Sequence, residues 1–534
     1  MKRTVHIILS LLLCLALMGC GATASAAGTE KTTASAAVQT VLEEETPEAD
    51  TAITLSDAGI KTEGSGVTVS GSTVTVTAEG TYLISGSLTD GQIVVDALDA
   101  KVVLVLDGVD VTSKGSAALY VAEADKVTLF LTDGSENTLS STGEFTDPAG
   151  EIDAAVFGKD DITVRGSGAL TVSCETGHGI VSKDDLEIKN GTITVTAAKK
   201  GLSGNDSVEI SGGVITVTSG KDAIHAENSD DASLGNVLIS GSSVTLTAGS
   251  DGVDASGAVT VTGGSVTVSA ADDGVHAEGD FAISDGSLIV KKSYEGLEGK
   301  TVTVSGGTVS VTATDDGVNA TAGSVSGGFG WGGEFAAQSG VAVTISGGTL
   351  SINAGGDGID SNGDLYVSGG TVYVDGPTNS ANGAIDYNGA GVITGGVVVA
   401  TGASGMAAGF GSDSTQGSIF YNLSSAQSGT VTLKDESGSV LVSFTPTKSY
   451  QSVVVSAPGM TSGGTYTLTA GSFSETITLN GTVWSNGGGM MGGMGGMMGG
   501  FPGGQGGETP SGTPPTVPGG SGVFPGQGGF GGRR

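Results

Sequence analysis

One phrase, repeated at a nearly fixed spacing, leaves this chain few folds to choose from. It reads DGVDA at 251–255, DGVHA at 273–277, DGVNA at 316–320 and DGIDS at 357–361. Looser copies are HGIVS at 178–182, KGLSG at 200–204, DAIHA at 222–226 and EGLEG at 295–299. A second phrase follows most copies, such as TVTVSGGTVSVTA at 301–313 or DLYVSGGTVYVDG at 364–376. The small residue before the first apolar position of each copy falls at Gly179, Gly201, Ala223, Gly252, Gly274, Gly296, Gly317, Gly358, Ala384 and Gly405. Most steps between them are 21 or 22 residues, and the longer ones (29, 41 and 26) are that unit with a local insertion. A unit this short cannot bury an apolar face alone, but stacked copies share one core, which is the signature of a solenoid.

Within a unit, Val and Ile alternate with Thr and Ser over short stretches separated by Gly-rich turns, a strand pattern. Three strands in about 22 residues predict an all-β fold, a three-sided parallel β-helix whose coils pair ~4.8 Å apart. Ten such coils make a rod of roughly 45–50 Å. The Gly-Gly pairs at 212–213, 263–264, 306–307, 347–348, 369–370 and 395–396 mark one recurrent corner, where a positive φ or a close backbone approach is needed. The insertions at 227–235 and 322–340, the latter holding Phe329, Trp331 and Phe335, are expected to loop out on one side of the stack.

The flanks divide in order. Residues 1–19 read as a signal peptide, with Lys2 and Arg3 before the apolar run 8–17, which is too short to span a membrane comfortably. The run ends in LMGC (17–20), which resembles the lipobox of bacterial lipoproteins and implies a lipid on Cys20; ordinary secretion is the alternative. Residues 20–50 read as a flexible tether, 51–177 as N-terminal coils and cap, 178–414 as the regular β-helix and 415–485 as a β-rich C-terminal cap. The Gly-, Met- and Pro-rich 486–534 is expected to be disordered. The expected place is extracellular, on the cell surface, with the membrane reached only through the lipid. Cys174, left without a partner, reads as structural.

A formal charge of −35 opposes nucleic acid and anionic headgroups as partners and suits a protein that gathers cations. The acids are ordered. The position before the small residue reads His178, Lys200, Asp222, Asp251, Asp273, Glu295, Asp316, Asp357 along the coils. Two positions after it the column reads Val181, Ser203, His225, Asp254, His276, Glu298, Asn319, Asp360, Asp386. Stacked carboxylates repel, and a hard divalent cation, taking six to eight oxygens, relieves this. Asp251 and Asp254 with Asp272 and Asp273 form one candidate Ca²⁺ site, and Asp315 and Asp316 with Asp357 and Asp360 another. The plainer explanation of each acid is a turn carboxylate bonded to backbone N–H. His225 and His276 lack the Cys or close His partners of a zinc site.

No nucleophile elbow, HExxH or P-loop is present. Lys199, Lys200, Lys221, Lys291, Lys292 and Lys300 are candidate bases for a lyase, and otherwise a solvated face. The few aromatics, Tyr294, Trp331, Tyr366, Tyr373 and Tyr387, make no single stacking platform. An acidic polysaccharide held through bridging Ca²⁺ fits better than a ring-stacked one.

The segments GTYLISGSLTDGQIVVDA (80–97), KDDITVRGSGALTVS (159–173), KDDLEIKNGTITVTAAKKGLSGNDSVEISGGVITVTSGKDAI (183–224) and SFTPTKSYQSVVVSAPGMTSGGTYTL (443–468) occur in that order. Together they resemble the bacterial carbohydrate-binding β-helix family over roughly 52–480. The resemblance implies a right-handed, pectate-lyase-like β-helix with bound Ca²⁺, and binding of cell-wall polysaccharide without cleavage. Its KDDI, KDDL, GND and DG turns place candidate calcium positions at Asp160, Asp161, Asp184, Asp185, Asp206, Asp222, Asp251 and Asp273. His178 and Lys200 depart from the family's Asp before Gly. The function expected is a non-catalytic, Ca²⁺-supported polysaccharide-binding surface lipoprotein; the alternatives are a pectate-type lyase and an adhesive stalk.

Overall fold

The computed structural model describes residues 44–147, 149–323 and 336–487. The expected signal segment with Cys20, most of the expected tether, residues 324–335 with Phe329, Trp331 and Phe335, and residues 488–534 lie outside the described residues. Among the described residues every regular element is a strand, and most strands belong to one large, mainly parallel sheet.

From residue 178 onward each coil supplies one strand to each of three parallel ladders. The first runs through His178–Ser182, Leu202–Gly204, Ile224–Ala226, Val253–Ala255, Val318–Ala320, Ile359–Ser361 and Ile385–Tyr387. Between Val253–Ala255 and Val318–Ala320 its rungs are the longer strands Val275–Ile283 and Leu297–Val304, which continue round the corner into the second ladder. The second ladder begins Asp185–Ile188, Ser207–Ile210, Asn236–Ile239, Val259–Val261. The third begins Thr192–Ala197, Val214–Ser219, Ser243–Ala248, Ser265–Ser269.

The alternation explains the register. In Thr192–Ala197 the threonines are exposed while Ile193, Val195 and Ala197 are buried. Ile193 then sits in line with Ile215, Val244, Val266, Leu288, Val309, Leu350, Val372 and Val398. A slip of one residue would turn a whole threonine face inward, forfeiting ~1.5–3 kcal/mol for each buried Val, Leu or Ile. The resulting core is continuous from Ile53 to Val454.

The Gly-Gly corner divides its two requirements between its two members. Gly307 has φ 72°, whereas a Cβ on Gly306 would lie 2.0 Å from the Ser284 carbonyl oxygen of the preceding coil. The insertions do not all leave from one corner. Residues 227–235 and 322–340 interrupt the path from first to second ladder, but 376–383 lies between the third ladder and the first. The stack therefore carries loops at two corners.

At the start, Thr51–Leu55 with Lys61–Glu63 and Val67–Ser70 with Thr73–Val76 pair antiparallel before parallel stacking takes over. At the other end Val397–Gly402 pairs antiparallel with Tyr450–Ser456. A separate four-stranded antiparallel sheet, Val440–Phe444, Val431–Asp435, Thr465–Ala470 and Phe473–Thr478, shares a second core around Leu433 and Leu468 with Val399, Ile419, Val453 and Val455 of the large sheet.

Candidate functional site

The first ladder carries the repeated phrase, so its columns form the candidate site. Ser203, His225, Asp254, His276, Glu298, Asn319, Asp360 and Asp386 are successive register partners. The neighbouring column is tied through the backbone. Gly252 N–H donates to the Asp273 carbonyl, Gly274 to Glu295, Gly296 to Asp316 and Gly317 to Asp357.

The corner acids use one oxygen for the chain itself. Asp251 Oδ1 accepts the Asp273 N–H at 2.8 Å, Asp316 Oδ1 accepts the Asp357 N–H at 2.6 Å, and Asp357 Oδ1 accepts the Gly383 N–H. Turn bonding thus accounts for half of each of these carboxylates. Carboxylate oxygens also converge across coils, in the groups Asp251–Asp272–Asp273, Asp273–Glu295–Glu298 and Asp316–Asp357–Asp360, each with one oxygen per residue within 4.8 Å of the others. Asp315 flanks the third group: a Cβ on Gly356 would lie 2.3 Å from Asp315 Oδ1 and 2.4 Å from Asp316 Oδ1. Among the described residues none of these acids is ion-paired to Lys or Arg.

Burial, then neighbouring negative charge, raises their proton affinity. Asp273 and Asp360 are pushed up to about 8, Asp316 to about 7, and Asp251 and Asp357 to about 6. Asn319 lies between Glu298 and Asp360; its Nδ2 donates to Glu295 Oε2 at 2.9 Å, and its buried Oδ1 has no hydrogen-bond partner. An all-oxygen donor set, mutual repulsion and a buried carbonyl oxygen without a donor fit a hard divalent cation such as Ca²⁺.

Two predicted acids are engaged otherwise. Asp254 does not join Asp251, Asp272 and Asp273: its Oδ2 lies 2.8 Å from His225 Nδ1 and its Oδ1 3.2 Å from His276 Nδ1. Asp222 lies 3.3 Å from His225 Nδ1. Burial works against the Asp254 charge, but the bonds from both imidazoles outweigh it and hold its carboxyl well below the usual range. The bond to Asp254 raises His276 to about 9.

A third region lies at the corner leading into the second ladder. Asp161, Asp184 and Asp185 converge. Burial and a hydrogen bond with Asp206 raise Asp184 to about 6. Lys126, 3.8 Å from Asp161 and 2.8 Å from Glu187, supplies part of the countercharge. Asp206 Oδ1 also accepts from Asn228 Nδ2 at 2.6 Å. Asp160 turns away, its Oδ2 accepting the Ala124 N–H at 2.9 Å. Sequence reasoning reached the columns of Glu295, Glu298 and Asn319 but singled none of them out; their signal was position in the repeat, not residue type.

Residues 70–341 match the family model described as carbohydrate-binding domain-containing protein, just over half of the 534 residues. The chain belongs to this carbohydrate-binding domain family. A carbohydrate-binding domain-containing protein of Acetivibrio thermocellus is 37% identical over 194 residues, 35% of this chain and 63% of the relative, so the chain spans less than two thirds of that protein's length. The solved structure of the polysaccharide lyase-like protein from C. thermocellum, a gadolinium derivative, is similar at 33% identity and a TM-score of 0.39, over 51% of this chain and 98% of that one. The carbohydrate-binding domain match takes in Asp251, Asp272, Asp273, Glu295, Glu298 and Asp316, while Asp357 and Asp360 lie beyond it.

Proposed function

We propose that this member of the carbohydrate-binding domain family is a non-catalytic, extracellular protein that holds acidic or plant cell-wall-type polysaccharide with the support of Ca²⁺. Its frame in this reading is a right-handed, three-sided parallel β-helix, and Cys20 carries the lipid that tethers it to the membrane. The observation that carries the cation is the convergence of mostly half-buried carboxylates, with no Lys or Arg paired to these clusters among the described residues. Asp251, Asp272, Asp273, Glu295, Glu298 and the Asn319 carbonyl would hold it in one stretch, and Asp315, Asp316, Asp357 and Asp360 in the next. A chain with 56 acids against 21 basic residues repels an acidic glycan; a cation with open coordination positions reverses that locally. Binding is preferred to cleavage because lyase chemistry needs a base beside the cation, and among the described residues no Lys or Arg pairs with these clusters.

The test is retention of the full chain on polygalacturonate gel and on insoluble cellulose, in Ca²⁺ and in EDTA. Retention that EDTA sharply weakens, with no ultraviolet-absorbing unsaturated product, is expected. A folded sample that passes through both matrices in both buffers would sink the reading, and release of unsaturated product would replace it with a lyase.

A further inference from the structure

Upstream of the carboxylate clusters the same ladder changes sign. Where later coils place Asp or Glu before the small residue, the coils beginning at 178 and 200 place His178 and Lys200. These two side chains line a cavity of about 180 Å³ together with Lys183, Asn205, His225 and Glu227, so two of the chain's four histidines face one opening.

The groups around it are locked in place. His178 Nδ1 accepts the Lys200 backbone N–H at 3.2 Å, which leaves its Nε2–H toward Asp153 Oδ2 at 3.4 Å. Lys200 Nζ lies 2.5 Å from His225 Nε2, and His225 Nδ1 is held by Asp254 at 2.8 Å. At that distance one of the two nitrogens must accept, so the pair carries one positive charge. Whichever holds the proton, two Nζ–H groups remain to donate. Their nearest anion in the protein is Glu227, 4.0 Å from Lys200 Nζ, 3.2 Å from His225 Nε2 and largely exposed. Lys183 stands exposed at the rim, its Nζ 5.7 Å over the Phe157 ring, and no ion pair to it is found among the described residues.

We propose that this cavity is a cation-independent subsite for one carboxylate-bearing sugar unit, its carboxylate received by Lys200 and Lys183 and its hydroxyls by Asn205, Ser203 and Asp153. The inference rests on the polysaccharide-binding reading and deepens it. Charge-assisted N–H···O⁻ bonds are the strong ones available to such a ligand. The volume is below the ~300–1,000 Å³ of drug-sized sites, which suits one ring and not several. His225 and Asp254 are register partners, so a glycan lying along the ladder meets lysine at this end and cation-bearing acids at the other. A uronate polymer is thereby distinguished from a neutral one at two places, only one of which needs metal.

Trigalacturonate and its carboxyl-reduced, neutral counterpart are titrated by calorimetry into the full chain in EDTA. The wild type is expected to bind the acidic trisaccharide on the order of tenfold more tightly than the neutral one. Lys200→Met is expected to remove that preference, and Lys183→Gln, at the exposed rim where folding is not at stake, to reduce it several-fold by itself. Both variants should keep Ca²⁺-dependent retention on polygalacturonate gel. Acidic and neutral sugars bound alike, or variants that bind as the wild type does, would overturn the subsite while gel retention in Ca²⁺ leaves the broader reading standing. Loss of gel retention by the wild type itself would overturn both.

Discussion

Replacing Asp360 by Asn should stabilise the cation-free protein and blunt its response to Ca²⁺. Asp360 is stacked between Asn319 and Asp386 and lies within reach of Asp316 and Asp357. Burial first, then the charges of Asp357, Asp316 and Asp386, push its carboxyl from 3.8 up to about 8. The folded chain therefore keeps a proton there that the unfolded chain has lost. Between about pH 4 and pH 8 the folded state binds more protons, so stability falls as pH rises through that window and is unaffected below it. At pH 7, roughly three pH units above the unfolded value, 1.36 kcal/mol per unit sets a ceiling near ~4 kcal/mol for what this acid costs relative to a neutral isostere. Because Asp316 and Asp357 share the repulsion and Asn must still be solvated by the site, a gain of about 2 kcal/mol is expected. The gain should vanish near pH 4. In saturating Ca²⁺ the order reverses: a ligand at 100 times its Kd stabilises the wild type by ~2.7 kcal/mol, and the variant, short of one ligand, gains less. Urea unfolding followed by circular dichroism at pH 4 and 7, each in EDTA and in Ca²⁺, reads all of this. If Asp360→Asn is less stable than the wild type in EDTA at pH 7, the carboxylate is a structural hydrogen-bond acceptor and the unpaired-charge argument is wrong.

Three further outcomes follow from separate parts of the molecule. Gly370→Ala places a Cβ 2.6 Å from the Gly347 carbonyl oxygen at φ 75°, whereas Gly134→Ala at φ 69° meets nothing within 4 Å. The first should lose ~2–5 kcal/mol and the second only ~1–2 kcal/mol in the same urea experiment; equal losses would show that the coils do not approach this closely. His276, raised to about 9 chiefly by its bond to Asp254, adds stability that is full below about pH 6.5 and lost as pH rises toward 9. His276→Gln should accordingly flatten the fall in stability over that window, and an unchanged slope would remove His276 as its source. Cys174 is 4% exposed, and burial pushes its thiol up; maleimide should label its peptide only in urea, and fast labelling of the native chain would contradict the packing.

The sequence by itself determined the stacking. A side-chain period of two inside strands, repeated every 22 residues, obliges like positions to form columns, which is why Ser203, His225, Asp254, His276 and Glu298 could be aligned from their numbers alone. The alternation of Thr with Val and Ile likewise decided which face is core, because only one face of each strand can be apolar throughout. Position in the repeat also marked the candidate acids, but not their partners. Only the tertiary structure decided that Asp254 turns to two imidazoles and leaves Asp251 to Asp272 and Asp273. Only it showed that Asp316 spends one oxygen on the Asp357 N–H, that Asn319 presents a buried oxygen, and that Lys200 reaches His225 one coil on. The reason is geometric: column membership follows from the backbone repeat, whereas the partner of each charge depends on side-chain length, rotamer and the sum of nearby charges across coils.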